Sequence, residues 1–101
     1  MSREKYPLVS IGLPVFNCEK YIQKSLDSIL SQSYSNFEII ISDNCSTDLT
    51  SKICLEYSKK DKRITYNRQQ ENKGASYNFI NVFKKATGKY FLWVAGDDYL
   101  A

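Results

Sequence analysis

Two adjacent aspartates, Asp97 and Asp98, close the apolar run FLWVAGDDYLA (residues 91–101). Side-by-side carboxylates repel one another, and either would repel a phosphate. A hard divalent cation removes both objections, because its preferred ligands are carboxylate and phosphate oxygens. Gly96, just before the pair, lets a bulky ligand approach the backbone closely. The plainer alternative is a surface turn whose aspartates only cap or solubilise. A second carboxylate, Asp43, follows three isoleucines in FEIIISD and opens the segment DNCSTD (43–48). At a buried strand end it is placed to accept hydrogen bonds from a base or sugar edge. Ser46, Thr47 and Asp48 are all good helix N-cap types, and a capping turn accounts for them completely. It does not account for Asp43 as well.

Other chemistries are excluded by what is missing. The 101 residues contain no histidine, which removes a histidine general base, Ser–His and Cys–His nucleophile pairs, and most zinc chemistry. Cys18, Cys45 and Cys54 make an odd count at spacings that match no zinc pattern. Neither GxGxxG nor GxxxxGK[ST] occurs, so the glycine-rich phosphate cradles are absent. The densest basic run, SKKDKR (58–63), reads as a solvated helix end in a chain of net charge +3. A nucleic-acid face would need a longer basic stripe interleaved with aromatics, so no nucleic-acid partner is expected. The start, MSREKYPLVS, lacks the apolar centre of a signal peptide, and no window approaches the ~18 apolar residues of a membrane span. The expectation is a cytoplasmic chain with reduced thiols.

The elements that must position these residues follow from periodicity. LVSIGLP (8–14) is a short β-branched run ended by proline, a buried strand. EKYIQKSLDSILSQ (19–32) sets Ile22, Leu26, Ile29 and Leu30, with Ser25, on one helical face. FEIIIS (37–42) is a second strand, apolar on both sides. A helix carrying Leu49, Ile53 and Tyr57 then ends near Lys60, and RITYNR (63–68) is a third strand. After the polar loop QQENKG (69–74), Phe79, Val82, Phe83 and Ala86 mark a helix over 76–86, with Gly88 as its C-cap. KYFLWV (89–94) is a fourth strand, with Trp93 expected in the core. Alternating strands and helices give an α/β, Rossmann-like three-layer sandwich: a mostly parallel sheet of about four strands, in one domain over 1–101. Ligands of such sheets bind beyond the carboxyl ends of the strands. Those ends are PVFNCEK, DNCSTD, QQENKG and AGDDYL, so the chemistry gathers along one edge.

Taken in order, VSIGLPVFN, SDNCSTD, NKGASYNF and GKYFLWVAGDDYL resemble the N-terminal, nucleotide-sugar-binding half of a family 2 glycosyltransferase. The resemblance implies a partial GT-A fold and transfer of a sugar from a nucleoside diphosphate donor, commonly a UDP-sugar, with Mn²⁺ or Mg²⁺. It implies that Pro14, Val15 and Phe16 line the nucleoside site, Phe16 against the base, with Asn17 and Glu19 completing the segment. Asp43 matches the aspartate that recognises the base, and Asn72, Lys73, Gly74 and Asn78 fall in the segment flanking the donor pocket. Gly96 and Asp97 close the donor set. Asp97 matches the last aspartate of the family's D-x-D, the metal ligand, and Asp98 the acid often following it. The chain departs from the pattern at Ala95, which stands where the first of those aspartates would be. It departs again at SYNF, where many members carry an arginine. No residue matches the acceptor-side general base, so the expectation is a donor-binding half truncated before its acceptor-binding half, the acceptor unknown. The rival reading is a non-catalytic module that self-associates through the apolar surface such truncation exposes. A cytoplasmic location is expected, with attachment at the inner face of the membrane through a partner or missing region as its variant.

Overall fold

The computed structural model describes residues 7–94. Its elements run β1 (Val9–Val15), α1 (Ile22–Leu30), β2 (Phe37–Asp43), α2 (Thr50–Lys60), β3 (Ile64–Arg68), α3 (Ala75–Lys85) and β4 (Tyr90–Trp93). All pairings are parallel and the sheet order is β3-β2-β1-β4. The expected α/β class and strand–helix alternation are therefore what the chain builds. β1 pairs on both edges, Ile11 with Ile39 on one side and with Leu92 on the other. The chain steps outward from β1 through β2 to β3, then returns to place β4 on the far side of β1. That reversal opens a crevice beyond the strand ends, where open α/β sheets receive ligands.

Both faces of the sheet are covered. Ile22, Leu26 and Ile29 of α1 and Cys54 of α2 pack with Ile11, Leu13, Val15, Ile39 and Ile41 in one apolar core. This is the face drawn by the period-3.6 stripe of α1. α3 lies against β1 and β2 on the opposite face, with Val82 fully buried. Consecutive strand residues point to opposite faces, which is why the isoleucine run of β2 serves both layers.

Three local expectations need correction. Trp93 is not core: it is 47% exposed, because β4 is an edge strand that, among the described residues, pairs only with β1. Leu49 is exposed as well, and α2 instead turns Thr50 and Cys54 inward. The Thr50 hydroxyl accepts the Cys18 N–H at 2.9 Å, which ties that face of the helix to the β1–α1 loop. Gly88 does not cap α3, whose C-cap is Ala86 in extended conformation. Its role is close approach: a Cβ there would stand 2.7 Å from the Leu8 carbonyl oxygen. No described helix is long and apolar enough to cross a membrane.

Candidate functional site

The carboxyl ends of β1 and β2 lead into two loops that are laced together. Asn17, at φ 46°, and Cys45, at φ 65°, are the described non-glycine residues with positive φ, a conformation most side chains avoid. Each sits in one of these loops. Asn17 Oδ1 accepts the Thr47 N–H at 2.8 Å, and the Asn17 N–H donates to Ser46 Oγ at 3.0 Å. The Glu19 N–H donates to Asp48 Oδ2 at 3.3 Å. Burial works against the charge on Asp48, but hydrogen bonds from Thr50 and Glu19 outweigh it and hold the carboxyl below its usual range. Strained backbone held by converging hydrogen bonds is a common feature of functional edges.

Asp43 anchors this lacing from beneath. It is fully buried. Oδ1 accepts the Ser46 N–H at 2.9 Å and the Ser46 hydroxyl at 2.6 Å; Oδ2 accepts Ser51 at 2.6 Å and Tyr66 at 2.7 Å. Those bonds occupy the four lone-pair directions of a carboxylate. Burial above all, then the hydrogen bond to Asp43 and its negative charge, push the Tyr66 phenol well above its ordinary range against the opposing hydrogen bond with Ser51. It therefore stays a proton donor to Asp43 at any physiological pH.

On the other face of the sheet, buried amides tie α3 to the strand ends. Asn78 Nδ2 donates to the Ser42 carbonyl at 2.8 Å, and its Oδ1 accepts the Ser42 hydroxyl at 2.6 Å. Gln69 Nε2 and Asn81 Nδ2 both donate to Ser42 Oγ, at 2.8 and 2.9 Å. Buried polar groups of this kind are costly unless paired, and the pairing fixes where α3 begins.

Between these structures lies a cavity of about 380 Å³ at the carboxyl edge. Pro14, Val15, Phe16, Asn72, Gly74 and Asn78 all line it, six residues named from the sequence and drawn from β1, the β3–α3 loop and α3. Phe16 is 46% exposed, an apolar ring open to a flat partner. Gly74, at φ 91°, makes the turn into α3 that few other residues could make. Lys73, between two wall residues, holds its Nζ 4.9 Å from the Tyr77 ring centroid.

Not every expected residue joins them. Asn17 and Glu19 line a separate recess of about 140 Å³ with Cys18 and Asp48, and Asp43 lies below the surface. Gly96, Asp97 and Asp98 lie outside the described residues. Among the described residues no group of three His, Cys, Asp or Glu is placed to hold a metal. β4 runs parallel to β1 toward this edge, the Val94 N–H donating to the Gly12 carbonyl at 2.8 Å.

Sequence reasoning missed three wall residues, Asn44, Ala75 and Phe79. In the sequence Phe79 belongs to the apolar stripe of a helix, and Asn44 to the turn segment beside Asp43. A larger recess of about 480 Å³ shares Ala75 and Phe79 but is walled by Ile80, Phe83 and Trp93, with Ser76 its one polar residue. It lacks the convergent polar groups that orient a ligand. Burial pushes the Cys18 thiol up to about 11 and Cys54 higher still, so neither is poised as a thiolate.

Comparison with known proteins places this geometry. The model of the family described as "Glycosyl transferase family 2" matches residues 10–101. The putative teichuronic acid biosynthesis glycosyltransferase TuaG of Bacillus subtilis is 39% identical over 92 residues, covering 91% of this chain and 36% of TuaG. The crystal structure of S. aureus TarS 1-349 in complex with UDP-GlcNAc superposes with TM-score 0.83 at 33% identity, covering 90% of this chain and 27% of that one. The mannosyltransferase PcManGT of Pyrobaculum calidifontis, solved with GDP-Man and Mn²⁺, shares the fold at TM-score 0.82 and 24% identity, covering 90% of this chain and 28% of its own. The chain thus spans little more than a third of TuaG and less of the two solved structures.

Proposed function

The chain belongs to glycosyl transferase family 2, and from that premise we propose that its carboxyl-edge cavity is the nucleoside end of a donor site for a nucleoside diphosphate sugar, with a UDP-sugar as the donor class. The observation that carries the reading is the convergence of Pro14, Val15, Phe16, Asn72, Gly74 and Asn78 on one cavity. Phe16 offers its ring to a base. The side-chain NH₂ of Asn72 stands in the same wall, a polar group of the kind that fixes a ligand's orientation in a largely apolar pocket, while Asn78, its amide spent on Ser42, holds the wall itself. TarS, 33% identical, has been solved with UDP-GlcNAc, and that supports the uridine choice. Asp97 and Asp98 are the proposed ligands of a Mn²⁺ or Mg²⁺ ion, which when bound would neutralise the diphosphate leaving group. They follow β4 in the sequence, and β4 pairs with β1, whose last residue, Val15, lines the cavity. In glycosyl transfer of this kind an acceptor hydroxyl attacks the anomeric carbon with the nucleoside diphosphate departing. The general base for that attack is assigned to no residue of this chain, so the proposed activity here is donor binding.

Thermal unfolding with and without UDP plus Mn²⁺, beside Asp97→Ala, tests this. Ligand at ten times its Kd raises stability by about 1.4 kcal/mol, roughly 5–10 °C in a domain of this size. A metal-dependent rise that Asp97→Ala abolishes is the expected outcome. A folded chain that UDP and Mn²⁺ leave unshifted overturns it.

One observation favours a second reading, the self-associating module. Phe79, Phe83 and Trp93 are each 41% to 55% exposed and their rings lie within 6.1 Å of one another or of Phe91. Apolar surface of that kind marks association sites.

A further inference from the structure

The proposed donor cavity has two walls from separate parts of the chain, the end of β1 with Val15 and Phe16, and the β3–α3 loop with Asn72 and Gly74. Asn44 is bonded to both. Its backbone N–H donates to the Val15 carbonyl at 2.9 Å. Its side chain spends each end of the amide on the opposite wall: Nδ2 donates to Asn72 Oδ1 at 2.8 Å, and Oδ1 accepts the Lys73 N–H at 2.9 Å. Asn72 Oδ1 also accepts the Gly74 N–H at 2.9 Å. Three consecutive loop residues are thereby held, directly or through one intermediary, from a single side chain that is 4% exposed. The orientation of the amide is dictated by its partners. Turned end for end, it would set its NH₂ against the Lys73 N–H and its oxygen against Asn72 Oδ1.

We infer that Asn44 is the positioning residue of this cavity: it sets the separation of the β1 wall from the β3–α3 loop, and so the fit of a flat base between them. The inference rests on the donor-site reading above. The loop it holds, QQENKG (69–74), is polar and brings little apolar packing of its own. Without Asn44, the loop would have to be ordered by the ligand, at a cost in affinity. Asn72 and Gly74 shape the wall; Asn44 decides where that wall stands.

The test combines calorimetric titration of UDP with Mn²⁺ and amide hydrogen exchange at Lys73 and Gly74, on the chain and on Asn44→Ala, Asn44→Asp and Asn72→Ala. Asn44→Ala is expected to weaken UDP by about tenfold, the size of effect that two lost hydrogen bonds carry, and to speed exchange at Lys73 and Gly74. Asn44→Asp keeps the acceptor for Lys73 and loses the donor to Asn72. It should therefore leave Lys73 protected while still weakening UDP, a split that general loss of stability would not produce. Asn44→Ala binding UDP within twofold of the parent, or leaving Lys73 and Gly74 as protected as before, overturns the inference. If Asn44→Ala does not fold, Asn44→Asp and Asn72→Ala break the same clamp from either end, and unchanged UDP affinity in both overturns it. If the parent chain binds no UDP, the donor-site reading falls on its own, and exchange at Lys73 still decides whether Asn44 holds the wall.

Discussion

A carboxylate at the carboxyl end of a parallel strand invites a ligand, yet Asp43 faces its own chain. Its two oxygens take the Ser46 N–H and the hydroxyls of Ser46, Ser51 and Tyr66. In this arrangement it acts on the site by fixing the DNCSTD turn, and the following residue, Asn44, reaches the cavity. The Tyr66 hydrogen bond is the one that joins Asp43 to a different strand. Removing it with Tyr66→Phe keeps the ring packing and leaves a buried carboxylate oxygen short of a donor. Hydrogen bonds to charged groups carry about 1.5–3 kcal/mol, and a loss near the lower figure is expected in urea unfolding at pH 7. An unchanged midpoint would mean that the bond carries nothing. Residue types alone could mark Asp43 as unusual, but whether a carboxylate faces a ligand or its own loop depends on which hydroxyls the fold brings to it. Tyr66 lies 23 positions away in sequence, and no local pattern pairs the two.

At the scale of elements, the junction from α3 to β4 shows how the far end of the sheet keeps the site in register. Glu38, near the start of β2, accepts the Ser10 hydroxyl at 2.5 Å and the Thr87 N–H at 2.8 Å, and the Gly88 N–H donates to Ser10 Oγ at 2.7 Å. These bonds seat β4 beside β1. Burial raises the Glu38 pKa, but the bonds from Ser10, Thr87 and Gly88 outweigh it and hold it below its ordinary 4.5. A carboxyl lowered on folding contributes stability above its unfolded value, and that contribution is lost as pH falls through the folded value. The stability gap between the parent chain and Glu38→Gln should therefore be full at pH 7 and narrow below about pH 4.5. Urea unfolding of both proteins from pH 7 to pH 3 measures it, and a gap constant across that range would show that Glu38 does not titrate through this contact. The order and type of the elements were legible because strand and helix periods differ and the chain keeps each one faithfully. The inward faces were less so. Leu49 fitted the helical spacing, and Thr50 displaced it because its hydroxyl meets the Cys18 N–H, a contact between the first turn of α2 and the β1–α1 loop.

For the whole molecule, burial is set by which strand lies at the edge, and that is a property of sheet order. Trp93 reads as core in a strand flanked on both sides; in the order β3-β2-β1-β4 it sits on the last strand. Phe79, Phe83, Phe91 and Trp93 then form a ring cluster with neighbouring centroids 4.8–6.1 Å apart, and Tyr90 and Leu92 are half exposed on the opposite face of the same strand. An edge strand that also carries apolar side chains offers both hydrogen-bonding groups and hydrophobic area to a partner. The second reading therefore makes a sharp prediction. Sedimentation velocity of the chain should show association that rises with protein concentration and is indifferent to UDP and Mn²⁺, and Phe83→Lys with Trp93→Lys should abolish it. Lysines are expected to be tolerated at these positions because both side chains are about half exposed already. If the parent chain stays monomeric across the concentration range, the aromatic face does not bind copies of itself and the association module falls. If it associates while UDP still raises the unfolding temperature, the two readings describe different surfaces. The cavity lies against Val15 and Phe16, whereas the ring cluster is centred on Phe83, Phe91 and Trp93; Phe79 borders both, and the double lysine variant, which leaves Phe79 in place, should then lose assembly while keeping the nucleotide.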